Sequence, residues 1–438
     1  MLFCFDIPKV TERMRHRLDH LALRSSHMKI SKLTITPVAT HDQPLLNSTG
    51  VHESYRERTI VQIMTDDGYT GAGETHGGKT SEIEINRDWI EGHDPRQMTK
   101  ARLSWKGSPQ GWSAVETAML DASAKQAEMP VCDYIGGRAR DRVEWAAYLF
   151  YKFADENGQG EISTDEALDP EGFVRQAEAF VERYGFKALK IKGGFFHPDV
   201  DIETFRLLRK RFPKQDGYEI RIDPNAVWTI DTSIRVAKEI EQYQPQYLED
   251  PTDSIADHAE VKKHTDIPTA SNMCVSAFSH VKPNAQIEGI DVILGDHHHW
   301  GGILAYKETG VLCRVMGWGL SGHSNNSLGV SQAAMLHSCA ATPELNYQPD
   351  THYPWTDTDG DIIKGGKLQF NDGYMEVPDK PGLGIEIDED ALAERHEALK
   401  AGPPDNRKDM ILSIDPDAKP RSGSWTGFNF PNYAKPRW

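Results

Sequence analysis

The feature that most constrains this chain is a rhythm. From about residue 143, short apolar segments end in polar residues and are followed by helix-like stretches. They are WAAYLF (145–150), KALKIK (187–192), YEIRIDPN (218–225), PQYLED (245–250), IPTASN (267–272), DVILGD (291–296), GWGLSGH (317–323) and PELNYQ (343–348). Asp223, Glu249, Asn272, Asp296 and His323 close successive segments and lie 26, 23, 24 and 27 residues apart. One strand, a return helix and two short loops use about that length. Eight such units predict a (β/α) barrel, an α/β fold in which polar residues at the strand C-terminal ends converge on one site. The repetition is of architecture, since no sequence repeat underlies it.

Within that rhythm, KALKIKGG places Lys190 and Lys192 two residues apart. Residues two apart on a strand share a face, so two ammonium groups would aim at one point. Burying one cation is costly and two together more so. The charge of Lys190 would loosen the proton of Lys192 and make it a usable base near neutral pH. The alternative is a solvated edge strand whose lysines discourage pairing with other chains.

Asp223, Glu249 and Asn272 end three consecutive segments and offer oxygen donors with no sulfur. Such a set suits a hard cation that keeps open positions, and Mg²⁺ is the usual choice. Asp296 and His323 end the next two segments, where a carboxylate can fix the tautomer of an imidazole and raise its basicity. His297, His298 and His299 follow Asp296. Read as strand residues they alternate faces and cannot all bind one ion, so they are expected as loop or supporting groups. Neither GAGETHGG nor KGG has the spacing of a nucleotide-binding loop.

Before the barrel, KISKLTITPV and RTIVQIMTDDGYTGAGE predict strands joined by an Asp-Asp-Gly turn, with a polar loop (residues 40–55) carrying His41, Asn47 and His52. SAVETAMLDASAKQ (113–126) predicts the best of several helices. The reading divides the chain into an N-terminal extension (1–27), an α+β capping domain (28–140), a barrel (141–360) and a C-terminal segment (361–438) returning to the cap. That last segment includes an expected hairpin, GKLQFNDGYMEV, and a helix near 388–400. The arginine-rich stretch Arg13 to Arg24 faintly resembles an organelle presequence, but Asp6, Glu12 and Asp19 count against it. An arm packed on a partner subunit of a homo-oligomer is the simpler expectation.

A net charge of −17 argues against nucleic acid or an anionic membrane as partner. An anionic substrate would need positive charge supplied locally. The five cysteines form no CxxC pair, which predicts free thiols in a reducing, cytoplasmic setting.

The ordered set KIK, RIDPN, YLEDP, ASN, LGD and GHSNNS resembles the enolase superfamily, and within it the glucarate dehydratase group. THDQPLLNSTG, YLFY, DTHY (350–353) and PGLGIEID match that group as well, so the resemblance spans about residues 30 to 410. It implies a modified (β/α)7β barrel under a capping domain, with one catalytic Mg²⁺ held by Asp223, Glu249 and Asn272. It also implies Lys192 as base on one face, with Lys190 as its electrostatic partner, and His323 with Asp296 as acid and base on the other. Substrate contacts are implied at His41, Asn47, Tyr148, Asn225, Asn325 and His352, and at Arg407 in a divergent tail. Two departures bear on the substrate: LSWKGSPQGW (103–112) does not align clearly, and GDHHHWGG is unusually rich in histidine.

The implied reaction is dehydration of a six-carbon aldarate to a keto-deoxy acid. Removing a proton α to a carboxylate needs a stabilised ene-diolate and a base near neutral pKa, the design this superfamily is known for. Rivals are another acid-sugar dehydratase or epimerase on the same scaffold and a non-catalytic relative. A zinc metallohydrolase would want His-x-His on the first barrel strand, which WAAYLF lacks.

Overall fold

The computed structural model describes residues 28–48, 50–154, 165–356, 360–402, 408–414, 419–420, 428–429 and 438. Eight strands build the barrel: β1 (Ala146–Lys152), β2 (Ala188–Lys192), β3 (Glu219–Asp223), β4 (Leu248–Glu249), β5 (Thr269–Ser271), β6 (Val292–Gly295), β7 (Gly319–Gly322) and β8 (Asp350–Thr351). From β1 to β7 each pairs in parallel with the next, and β8 pairs in parallel with β1. The segment entering β8 completes the circuit, with Asn346 and Tyr347 amides donating to Leu320 O and Ser321 Oγ donating to Gln348 O. The eighth strand therefore lies at Asp350–Thr351 rather than at PELNYQ. That stretch is the approach which seals the gap to β7.

Among the described residues, seven return helices connect these strands: α1 (Pro170–Tyr184), α2 (Pro198–Arg211), α3 (Ile230–Ile240), α4 (Ile255–Lys262), α5 (Phe278–Ile287), α6 (Ile303–Met316) and α7 (Gly329–Ala340). Their starts are legible locally. Asp169, Thr229 and Ser254 accept amide hydrogen bonds at the N-caps of α1, α3 and α4, and proline opens α1 and α2. Gly185 and Gly317 end α1 and α6 in the left-handed conformation. Strand residues such as Ala147, Leu189, Ile222 and Leu248 are fully buried, as a doubly covered parallel sheet requires.

The cap is a three-stranded antiparallel sheet, Ile30–His41, Tyr55–Thr65 and Thr70–His76, covered by the helix Pro109–Gln126. Helix and sheet touch at backbone distance: a Cβ on Gly71 or Gly73 would sit 1.9 or 1.8 Å from Ala118 O or Ala114 O. Between the first two strands, Leu45–Asn47 and Gly50–Val51 form a small hairpin that pairs with Tyr151 and Lys152. This docks the polar loop onto the C-terminal end of β1, at the barrel mouth.

The C-terminal helix Glu389–Ala401 lies against the first cap strand, with His396 Nδ1 2.6 Å from Pro37 O. The expected hairpin at 366–377 is only a turn between Asn371 and Tyr374. Tyr374–Glu376 pairs instead with Arg142–Glu144, because that short strand precedes β1 with an open edge. Among the described residues no helix is long and apolar enough to cross a membrane, and Cys132, Cys313 and Cys339 are free thiols.

Candidate active site

The C-terminal ends of β2, β3 and β4 bring Lys190, Lys192, Asp223 and Glu249 together. Lys192 Nζ lies 2.5 Å and Lys190 Nζ 3.1 Å from Asp223 Oδ2. Lys190 also lies 2.6 Å from Glu249 Oε2 and 2.8 Å from Asp350 Oδ2, and Asp350 is paired with Arg221 at 2.7 Å. Burial alone would lower the Lys190 pKa, but the carboxylates of Asp350, Glu249 and Asp223 hold it well above its ordinary value. Lys190 is thus a fixed cation. The mutual repulsion expected of the lysine pair is compensated by carboxylates from three other strands.

The oxygen donors fit a hard divalent cation. Asp223 and Glu249 are fully buried, and Asn272 is nearly so. Glu249 Oε2, though close to Lys190, makes no hydrogen bond. Its carboxyl is pushed well above the usual range by burial first and then by the charge of Asp223. Added positive charge between these groups would relieve both. One end of the Asn272 amide lies 2.9 Å from Asp250 Oδ2 and 3.2 Å from Glu249 Oε1, and the other 3.0 Å from His323 Nε2. Hydrogen bonding alone puts its nitrogen toward the carboxylates, whereas a cation there would recruit its oxygen.

Backbone strain marks the same place. Asn225, Ala226 and Asp250 have positive φ of 53°, 60° and 38°, which non-glycine residues rarely adopt. Hydrogen bonds hold them: the Asn225 amide donates to Asp223 Oδ1 at 2.9 Å and the Ala226 amide to Asp250 O. Asp250 accepts from Ser271 Oγ and the Asn272 amide, and burial raises its pKa to about 7.

Across the barrel, His323 Nδ1 lies 2.9 Å from Asp296 Oδ2. Burial alone would raise the Asp296 pKa, but His298, His299 and His323 hold it well below the usual carboxylate range. His297–Trp300 is a single helical turn capped by Asp296, so the three histidines do not alternate as strand residues would. His298 bonds Asp296, His299 stacks on the His323 ring at 5.6 Å, and His297 is buried against His298.

Above these groups lies a cavity of about 390 Å³, lined by Lys192, Asn272 and His323 below and by the docked loop above. Asp42 anchors that loop, with His52 Nδ1 2.8 Å from its Oδ2 and His352 Nε2 3.2 Å from its Oδ1. Asn47 Nδ2 reaches His52 Nε2 at 2.9 Å. Burial pushes the His52 pKa down to about 3, so the ring is neutral and presents hydrogen-bonding groups rather than charge.

Residues 172–391 match the family described as Enolase C-terminal domain-like. A probable glucarate dehydratase of Streptomyces coelicolor is 38% identical over 402 residues, 84% of this chain and 91% of that protein. The chain belongs to the enolase superfamily. Its glucarate dehydratase group is also the one the motifs resemble. An enolase of Thermobispora bispora solved with magnesium and formate is 38% identical, with a TM-score of 0.83 over 93% of this chain and 100% of that one. An enolase of Pseudomonas fluorescens solved with magnesium, potassium and tartrate is 35% identical, with a TM-score of 0.84 over 94% and 100%.

In this enolase-superfamily chain, Asn47, Tyr148, Asn225, Asn325 and His352 all line the cavity. His41 does not. It sits one position before Asp42, at the end of a strand whose side chains alternate, and its ring packs near Tyr55. The histidine the loop presents is His52. Arg407 lies outside the described residues, and no cavity-lining residue comes from 103–112, where Ser108 caps the long cap helix. Asp42, His52, Asp250 and His299 were not singled out as site residues. The polar loop and the histidine run were the signals that contained three of them.

Proposed function

We propose that the chain is a Mg²⁺-dependent acid-sugar dehydratase acting on D-glucarate or a stereoisomeric aldarate. The observation that carries this is the joint exposure of Lys192 and His323 to one cavity, on opposite sides of the Asp223–Glu249–Asn272 donor set. Similarity to a probable glucarate dehydratase, and to neighbours solved with magnesium and with the dicarboxylate tartrate, supports the same reading.

Asp223, Glu249 and Asn272 hold Mg²⁺ in this proposal. When bound, the ion stabilises the negative charge that develops on the substrate carboxylate. Lys192 removes the proton α to that carboxylate, and Lys190 adds fixed positive charge beside it. His323, kept in the Nδ1–H tautomer by Asp296, presents Nε2 to the other face. There it takes a proton from the opposite configuration or, once protonated, delivers one to the departing hydroxide. Asn47, His52, Tyr148, Asn225, Asn325 and His352 orient the hydroxyls and the distal carboxylate.

Treatment with a chelator should abolish turnover, and Mg²⁺ or Mn²⁺, without zinc, should restore it. Full turnover by metal-free protein would refute the reading. A second reading, epimerisation on the same scaffold, follows from the two groups on opposite faces. Epimerised aldarate with no keto acid would establish it instead.

A further inference from the structure

The His323–Asp296 pair does not stop at Asp296. Asp296 Oδ1 accepts from the His298 amide at 2.8 Å and lies 2.8 Å from His298 Nδ1. His298 Nε2 lies 2.7 Å from Ser331 Oγ at the start of α7. Ser331 Oγ in turn accepts from Arg58 Nη2 at 3.0 Å, and Arg58 Nε donates to Glu74 Oε1 at 2.7 Å. Glu74 turns back to the barrel, where its carboxylate accepts the Leu328 and Ser331 amides at 2.9 and 2.7 Å. Arg58 and Glu74 belong to the cap sheet; the others belong to the barrel. All six side chains from His323 to Glu74 are buried.

Donor chemistry gives this chain a consistent direction. A guanidinium only donates, so the Ser331 oxygen accepts from Arg58 with one lone pair, and its own hydrogen is placed to serve His298 Nε2. In that arrangement His298 Nδ1–H donates to Asp296 Oδ1. Asp296, receiving the His298 ring and amide at one oxygen, can turn only its second oxygen to His323 Nδ1. His323 must therefore show Nε2, the atom 3.0 Å from the Asn272 amide, to the cavity.

We infer that His298 is a positioning residue for the dehydration step, linking the docked cap through Glu74, Arg58 and Ser331 to the orientation of Asp296 and His323. The inference rests on the acid–base assignment proposed above. It gives the supporting role expected of the histidine-rich turn a specific residue and route. It also makes the cap part of the catalytic geometry, beyond covering the mouth.

Replacing His298 by Phe keeps a ring of similar size but removes both nitrogens. The kcat for an aldarate that the wild type dehydrates should fall about 10- to 100-fold, the usual cost of losing a group that orients a catalytic residue, with KM changed less than about threefold. His298→Asn, whose amide nitrogen stands near the Nδ1 position, should recover part of that loss. On an Asp296→Asn background, His298→Phe should cost nothing further, because its effect runs through Asp296. An unchanged kcat in His298→Phe, or an equal further loss on that background, would overturn the inference. The wild type, His298→Phe, Asp296→Asn and the double variant compared by thermal unfolding provide a readout without substrate: the Tm shifts of the two changes should be less than additive. Additive shifts would also overturn it. A wild type that turns over no acid sugar, with Tm shifts still non-additive, would strike the functional reading and leave the linkage standing.

Discussion

At the residue scale, the proposed division of labour between Lys192 and His323 has the sharpest consequence. Each faces the cavity from its own side of the donor set, so each should govern α-proton exchange for one configuration. His323→Asn keeps much of the shape and removes the base and the acid, so dehydration should fall to background. Exchange with D₂O should persist for the epimer whose proton faces Lys192. Lys192→Ala should show the reverse for exchange, and the loss of positive charge beside the ene-diolate should cost dehydration about a hundredfold or more. Asp296→Asn should behave as a milder form of His323→Asn. NMR of the α-proton in D₂O separates these cases, and loss of exchange for both epimers in either single variant would contradict the two-sided assignment.

At the element scale, the cap strand Thr70–His76 approaches its helix closely and carries Glu74 to the barrel. Gly73→Ala would place a methyl 1.8 Å from Ala114 O, so strand and helix must separate. Overpacking of this kind costs about 1 to 3 kcal/mol, which should lower Tm by several degrees and lower kcat through the displaced Glu74–Arg58 contact. An unchanged Tm would show that the interface yields easily. The barrel strands were legible because each repeats one grammar of apolar core, polar end and return helix. The eighth was misplaced by a few residues because Leu345 and Tyr347 imitate a strand while serving as its approach. The convergence of Asp223, Glu249 and Asn272 was legible because strand ends meet by topology. His52 was not, since choosing it over His41 depends on which side of one strand end faces the mouth. Asp250 was hidden for a related reason: only a positive φ turns its carboxylate toward Ser271 and Asn272.

At the scale of the whole molecule, every cavity-lining residue lies at Asp42 or beyond. A chain beginning at Met28 retains all of them and should keep the full-length turnover, measured as kcat on the same substrate. A collapse of kcat with the fold intact would assign residues 1–27 a part in the site. The net charge of −17 would oppose an approaching dianion, so the proposed aldarate would depend on positive charge held locally, by Lys192 and Arg56 at the cavity and by a bound Mg²⁺. The most direct test of the whole account is an NMR time course of D-glucarate in D₂O with the Mg²⁺-loaded protein, alongside other aldarates and aldonates. At least one six-carbon aldarate should yield a keto-deoxy acid with deuterium at the carbon that lost its hydroxyl. No keto acid from any acid sugar would contradict it.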